Sequence, residues 1–348
     1  MHILLIGGGV HPIPPTGYGA VEQILTELRA GLAAAGHDAT IINRVRHRRM
    51  RDEYPFAWEL PRLLRGIGYD VLHANTPVVA NRLAWSQLPF VYTSHSRHWY
   101  YRDRLSHRWG YWLERRAVRR AGAVLALTDS LRRTMEAVVP PPRAPISVVP
   151  FGVDTNRFRP AWERRTGSVA LGVGVVQPFK RWELAAAALR GTGVTLRIAG
   201  PQPSAEYAAK VRAAGDRVEL LGEVTPAELD RLYAESDLLV HPSAVEILSA
   251  TVLQGLSAGL PIVGGPAVEG VVDPEVTGWA LPDQDPAAFV RAISDRVRLL
   301  ASDEHRRRSM GDAARVSALE RYAWPTVVAA HLAVYRQFLE AQGPRAST

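Results

Sequence analysis

The stretch His241-Pro242-Ser243-Ala244-Val245-Glu246-Ile247-Leu248-Ser249-Ala250-Thr251-Val252-Leu253-Gln254-Gly255-Leu256-Ser257-Ala258-Gly259-Leu260-Pro261-Ile262-Val263 decides the architecture. It follows Leu238-Leu239-Val240, a short apolar run of the kind that forms a strand buried on both faces. The stretch predicts a loop, a helix over Thr251 to Ala258 and a strand over Pro261 to Val263. A strand, a crossing helix and a second strand make a parallel unit. One carboxylate, Glu246, sits in the strand-to-helix loop, and Gln254 follows about two turns deeper in the helix.

The alternation extends upstream. Val169 to Val175, Thr195 to Ala199 and Val218 to Leu221 predict strands, Trp182 to Leu189 a helix, and Pro226 to Glu235 a helix capped by Thr225. Pro150 to Pro160 has no period and reads as a linker. Before it, Ile3 to Ile6 and Ala39 to Ile42 predict strands around a helix whose apolar positions are Val21, Ile24, Leu25, Leu28 and Leu32. Further strands are expected at Val71 to His73, Phe90 to Thr93, Ala123 to Thr128 and Ser147 to Val149, with a helix over Leu105 to Arg120. The fold class expected is α/β, with two doubly wound, Rossmann-like domains facing a cleft. Their expected bounds are residues 1–160 and 161–323, and an amphipathic helix and tail, 324–348, is expected to cross back to the first domain. Ligands of such sheets bind beyond the carboxyl ends of the strands.

Composition narrows the function. With 348 residues, 47% hydrophobic and 22% charged, the chain is an ordinary globular protein of about two domains. It has no cysteine, which excludes disulfides, thiolate metal sites and cysteine nucleophiles. The formal charge is +8, and of 42 basic residues only Lys180 and Lys210 are lysine. A lysine in the loop Gly172-Val173-Gly174-Val175-Val176-Gln177-Pro178-Phe179-Lys180-Arg181 is therefore informative, since its compact ammonium can reach a diphosphate. No export signal or membrane span is evident, and a cytoplasmic protein is expected.

Other motifs are weaker. Gly7-Gly8-Gly9 begins a dinucleotide fingerprint, but Pro12 occupies its last glycine position and no acid closes the second strand, so a tight turn is expected. Gly17 and Gly19, at a helix start, let backbone N–H groups approach a ligand oxygen. The N–H groups near Ser249 and Ala250 are placed to cradle phosphate, and Gln254 to reach a ribose. Asp283-Gln284-Asp285 matches a metal-binding spacing but reads as a solvated turn, and no metal site is expected.

Taken together these features resemble the GT-B glycosyltransferases of glycosyltransferase family 4, over nearly the whole chain. The resemblance rests on Val149-Pro150-Phe151-Gly152-Val153-Asp154 with Phe158 and Pro160, on the block from Leu232-Tyr233 to Val263, on Pro15 to Glu22, and on His95 within Thr93-Ser94-His95. It implies retaining, metal-independent transfer from a nucleotide-diphosphate sugar to an acceptor hydroxyl, on a small natural product, a polysaccharide or a lipid intermediate. It implies no cofactor besides the donor substrate. The implied catalytic residues are His95, Lys180 and Glu246, and the implied donor-binding residues are Gly17, Gly19, Arg181, Gly200, Ser249, Ala250, Thr251 and Gln254. Three positions depart from the family pattern. Val175 replaces an arginine that clamps phosphate, Gln254 replaces the second glutamate of E-x7-E, and Ile247-Leu248-Ser249 replaces Gly-Phe-Gly. Arg181 is expected to compensate for Val175. The departures leave a second reading, a catalytically weakened domain that binds nucleotide or carbohydrate without turnover, and a third, a sugar epimerase of the same fold.

Two arginine-rich segments remain: Arg44 to Arg51, and Arg97 to Arg120 with Trp99, Tyr100, Tyr101, Trp109, Tyr111 and Trp112. The mixture fits acceptor binding or peripheral docking on an anionic membrane, at the inner face for a cytoplasmic protein. The simpler expectation is an amphipathic helix with its aromatics packed inward. Nucleic acid is not an expected partner.

Overall fold

The computed structural model describes residues 1–15, 19–45, 53–101, 104–139 and 143–343. The chain divides into two compact units, Met1–Gly152 with Trp324–Thr348, and Val153–Ala323. The linker expected at Pro150 to Pro160 is thus split, and from Val153 onward it belongs to the second unit. The cause is packing: the Phe158 ring meets Tyr233 edge-on at 5.1 Å, and the Phe158 carbonyl accepts from Ser257 and Arg315.

In the first unit the strands are β1 (His2–Ile6), β2 (Asp38–Ile42), β3 (Val71–Ala74), β4 (Val91–Ser94), β5 (Ala123–Ala126) and β6 (Ile146–Val148). They form one parallel sheet in the order β2-β1-β3-β4-β5-β6. The helices are α1 (Ala20–Ala34), α2 (Glu53–Leu63), α3 (Pro77–Trp85), α4 (Leu105–Arg120) and α5 (Asp129–Val138). The last helix of the chain, α12 (Trp324–Gln342), is apolar along one face and joins this unit. Its Val328, Leu332, Tyr335 and Phe338 share one core cluster with Leu25, Leu28 and Leu32 of α1. Gly31 permits the approach, because a Cβ there would lie 2.6 Å from Val328.

The second unit repeats the plan. Its strands are β7 (Val169–Val173), β8 (Thr195–Ala199), β9 (Val218–Gly222), β10 (Leu238–His241), β11 (Ile262–Gly264) and β12 (Gly278–Ala280), in the order β12-β11-β10-β7-β8-β9. Its helices are α6 (Trp182–Leu189), α7 (Ala205–Ala214), α8 (Pro226–Glu235), α9 (Ala250–Ser257), α10 (Pro286–Ser302) and α11 (Glu304–Ser317). Trp182 anchors the core with no exposed surface, and its ring fills the space that Gly172 leaves open. Strand order reverses between β10 and β7, which are neighbours in space although β8 and β9 separate them in sequence. Such a reversal splays the two following loops apart and opens a crevice at the strands' carboxyl ends.

Candidate functional site

The loops that follow β7 and β10 flank that crevice. Gly174 leaves β7 at φ +145, and the Lys180 stem lies over it, with Cε 3.3 Å from where a Cβ would stand. Gly200 is needed for a second close approach, since its Cβ would lie 2.2 Å from the Gly174 carbonyl oxygen. The loop is pinned by Gly174 N–H to Ala199 O at 2.8 Å, Val176 N–H to Pro201 O at 2.8 Å and the Trp182 indole N–H to Val175 O at 3.0 Å. Its product is a fixed ammonium. Lys180 Nζ donates to Glu246 Oε1 at 2.5 Å, with 13% and 17% of the two side chains exposed.

Glu246 comes from the loop after β10, and α9 begins four residues on. Ser249 occupies the N-cap position without a side-chain capping bond. The first-turn N–H groups at Ala250 and Thr251 therefore keep their donor capacity, and the helix dipole adds to it. Thr251 Oγ1 reaches the Val173 carbonyl at 3.5 Å. The carboxamide of Gln254 is held from below: the buried Tyr233 hydroxyl donates to its Oε1 at 2.9 Å. Gln254 thus turns an N–H₂ group outward, where a carboxylate would present an acceptor.

Arg181 does something else. It adopts a left-handed conformation, φ 57 and ψ 37. Its guanidinium donates to the Pro242 carbonyl from Nε at 2.8 Å, pairs with Asp283 at 2.6 Å and lies 4.8 Å from the Phe289 ring centre. It braces the glutamate-bearing loop from behind. Asp283 is correspondingly part of a half-buried ion pair rather than a solvated turn, and Asp285 caps α10. Sequence reasoning also passed over His241. It ends β10 wholly buried, neither ring nitrogen has a hydrogen-bond partner, and Nε2 lies 4.0 Å from Glu246 Oε1. Burial, and then the Lys180 charge, push its pKa down to about 3, so the ring is neutral. A polar residue closing an otherwise apolar strand was the available signal.

In the first unit, His95 follows β4 and Asn75 follows β3, the adjacent strand. Asn75 is buried and donates from Nδ2 to the carbonyls of His73 at 3.2 Å and Ile6 at 3.4 Å. Its Oδ1 must therefore be the acceptor facing His95 Nε2 at 3.3 Å. Burial, with the neighbouring His331, lowers the His95 pKa to about 4. A neutral ring that donates from Nε2 leaves Nδ1 as an acceptor. Glu114 steadies the same loop. It is fully buried on α4, and its Oε2 accepts from Tyr92 at 2.8 Å and Ser94 at 3.0 Å, while the Trp99 indole donates to Ser94 Oγ at 3.0 Å. Burial raises the Glu114 pKa to about 7 against the pull of those donors. The helical period reveals it, because Leu113, Glu114, Ala117 and Val118 form one inward face. Gly19 starts α1 where a Cβ would lie 3.0 Å from Pro15 and 3.2 Å from Glu22. Gly17 lies outside the described residues, as do Arg46, Arg48, Arg49 and Arg51.

The geometry can be set beside known proteins. Residues 21–157 match the family model described as Glycosyltransferase Family 4, and residues 178–298 match Glycosyl transferases group 1. The chain belongs to the family-4-like glycosyltransferases of GT-B fold. It is 32% identical over 238 residues to D-inositol 3-phosphate glycosyltransferase of Salinispora arenicola, covering 58% of this chain and 52% of that protein. It is also 32% identical over 251 residues to 2-deoxystreptamine N-acetyl-D-glucosaminyltransferase of Streptomyces fradiae, covering 65% and 58%. The chain spans only about half the length of the curated relatives it matches. The fold is that of HepE of Anabaena, solved in complex with UDP and glucose, with a TM-score of 0.74 at 17% identity over 97% of this chain and 100% of that one. Within the family frame, Lys180 and Glu246 meet at the switch point, Ser249, Ala250, Thr251 and Gln254 follow on the adjoining helix, and Gly200 closes the rim. Arg181 is held by the Pro242 carbonyl and Asp283, and Val175 offers no charge.

Proposed function

We propose that the protein transfers a sugar from a nucleotide-diphosphate donor to an acceptor hydroxyl with retention at the anomeric carbon. The second unit binds the donor, and the first supplies the acceptor side and His95. The observation that carries this reading is Lys180 held against Glu246 beside the uncapped start of α9. The donor diphosphate takes the place of Glu246 at Lys180, and the released carboxylate accepts from hydroxyls of the transferring sugar. As the bond from the anomeric carbon to phosphate oxygen breaks, negative charge gathers on the diphosphate. Lys180 and the α9 N–H groups are already oriented to receive it, which is the main source of such stabilisation. The acceptor oxygen bonds to the same face of the sugar, and its proton passes to the departing phosphate oxygen. His95 Nδ1 accepts from a sugar hydroxyl and contributes no proton. With an ammonium and a helix terminus taking the charge, the reading requires neither a metal nor any cofactor besides the donor. The acceptor is a hydroxyl of a small natural product, a polysaccharide or a lipid intermediate.

The absence of arginine at Val175, with Arg181 committed elsewhere, favours a second reading in which the donor is bound but not turned over. The two separate in one experiment. Purified protein is incubated with a panel of nucleotide sugars and hydroxyl acceptors, nucleoside diphosphate release is followed, and the product's anomeric proton coupling is read by NMR. Retained configuration is expected. Inverted product refutes the mechanism, and saturable donor binding without release across the panel leaves the second reading. Product formed with no acceptor present would point instead to an epimerase.

A further inference from the structure

Trp99 and Tyr111 pack inward, edge-on at 5.7 Å, but the two tryptophans of α4 do not. Trp109 and Trp112 are 60% and 50% exposed, and their rings stack at 5.2 Å with 14° between the planes. The neighbouring α2 and α3 add Trp58 and Trp85, each 67% exposed. These side chains form one surface. The Trp109 indole donates to the Tyr54 hydroxyl of α2 at 3.0 Å, and Arg82 of α3 lies 5.1 Å from the Trp58 ring centre. The right-handed crossovers that carry the chain from β2 to β5 put all three helices on the same face of the sheet. The charge that α3 and α4 expose is positive. Helix α4 carries Arg108, Arg115, Arg116, Arg119 and Arg120, and its one carboxylate, Glu114, is turned into the core. Helix α3 has no acid; of the two on α2, Glu59 is paired with Arg44 at 3.2 Å and Glu53, at the helix start, has its Oε1 buried.

We infer that this face docks on a bilayer surface rich in anionic phospholipid. Tryptophan suits the headgroup level because its ring is apolar while its N–H remains hydrated. Guanidinium forks suit lipid phosphates, and their stems can lie along apolar surface. No helix among the described residues is long and apolar enough to cross a membrane, so the attachment is interfacial. The inference rests on surface chemistry alone and stands or falls apart from the sugar-transfer reading.

The test uses the whole chain and sedimenting vesicles of phosphatidylcholine with or without about 30 mol% phosphatidylglycerol, at about 0.05 M and about 0.5 M salt. Expected is a partition coefficient at least about tenfold higher for anionic vesicles at low salt, with indole emission quenched by brominated lipid. Trp109→Ala with Trp112→Ala should lower that partition at least about tenfold, as should Arg115→Gln with Arg116→Gln and Arg119→Gln. The Trp and Arg variants alter exposed or half-exposed positions, and an unchanged circular dichroism melt confirms that they fold. Absence of vesicle binding at low salt overturns the proposal. So does binding that ignores lipid charge, or binding unchanged in the variants. A dimer in light scattering that the Trp variant abolishes, without vesicle binding, would assign the face to a second copy of the chain and likewise overturn it.

Discussion

The two units treat polar groups in opposite ways. The second unit keeps charges and pairs them: Lys180 with Glu246, Arg181 with Asp283, and the buried Asp237 with Arg307 at 3.7 Å. The first unit keeps its buried histidines neutral and pushes its buried Glu114 toward the neutral form. Burial lowers the pKa of His73, His95 and His331 and raises that of Glu114. Pairing carries a desolvation penalty but leaves a full charge available to a ligand. Neutrality avoids the penalty and offers only dipoles, which suffice to orient a hydroxyl. The division matches the chemistry proposed for each unit, and substitutions can break it.

The largest effect is expected at Lys180. Lys180→Ala should lower kcat/KM by about 10²- to 10³-fold, the usual consequence of removing one preorganised donor from developing negative charge. Initial rates with the preferred donor measure it. An unchanged rate would separate the charge pairing from catalysis altogether.

Next comes Arg181, where the paired charge is structural. Arg181→Ala should destabilise the protein by about 3 kcal/mol in urea unfolding, because Asp283 and the Pro242 carbonyl both lose their partner. Donor KM, measured on folded protein, should change less than about twofold. Loss of donor affinity at unchanged stability would return Arg181 to the donor site.

The neutral side is probed at Glu114. Its carboxyl titrates near 4.5 when unfolded and at about 7 when folded. The folded state thus holds an extra proton between those values, and the stabilisation is fully present below the lower one and lost as pH rises through the upper. Glu114→Gln should remove that loss, making the variant's stability flatter between pH ~5 and ~8 by roughly 2–3 kcal/mol. Denaturant melts across that range test it, and parallel wild-type and variant profiles would refute it.

The smallest effect is expected at Gln254. Gln254→Glu restores an outward acceptor above Tyr233, and a charge-assisted bond to a ribose hydroxyl should tighten donor binding about three- to tenfold. Calorimetry with the donor nucleotide reads it, and weaker binding would show that the amide N–H₂ is what the ligand uses.

Much of this architecture was legible because parallel strands and crossing helices write long, regular patterns. Helix bounds at Leu105–Arg120, Trp182–Leu189 and Pro226–Glu235 agree with the spacing of apolar residues and caps. The meeting of Lys180 with Glu246 was legible in outline, since both stand on strand-to-helix loops, but their direct contact depends on strand order, which periodicity does not encode. Strand β12 was missed: three residues, Gly278–Ala280, are too few to show a period. The contacts of Arg181 with Pro242 and Asp283 were not legible, because type and position in sequence do not say which way a left-handed residue throws its side chain. The outward tryptophans of α4 were misjudged for another reason. The small residues Ala117 and Val118, with Leu113, already complete the inward face and leave no room there for indoles.

Glu246 has one more consequence. Glu246 is a tethered counter-ion for the Lys180 ammonium, held at a high effective concentration. Chloride, bicarbonate or inorganic phosphate must outcompete that tether to enter, and each brings too few contacts to do so. On the proposed reading, a nucleotide sugar recovers the exchange elsewhere, through its sugar, ribose and base. On that reading the site would discriminate against small anions, trading some raw affinity for selectivity before any chemistry begins.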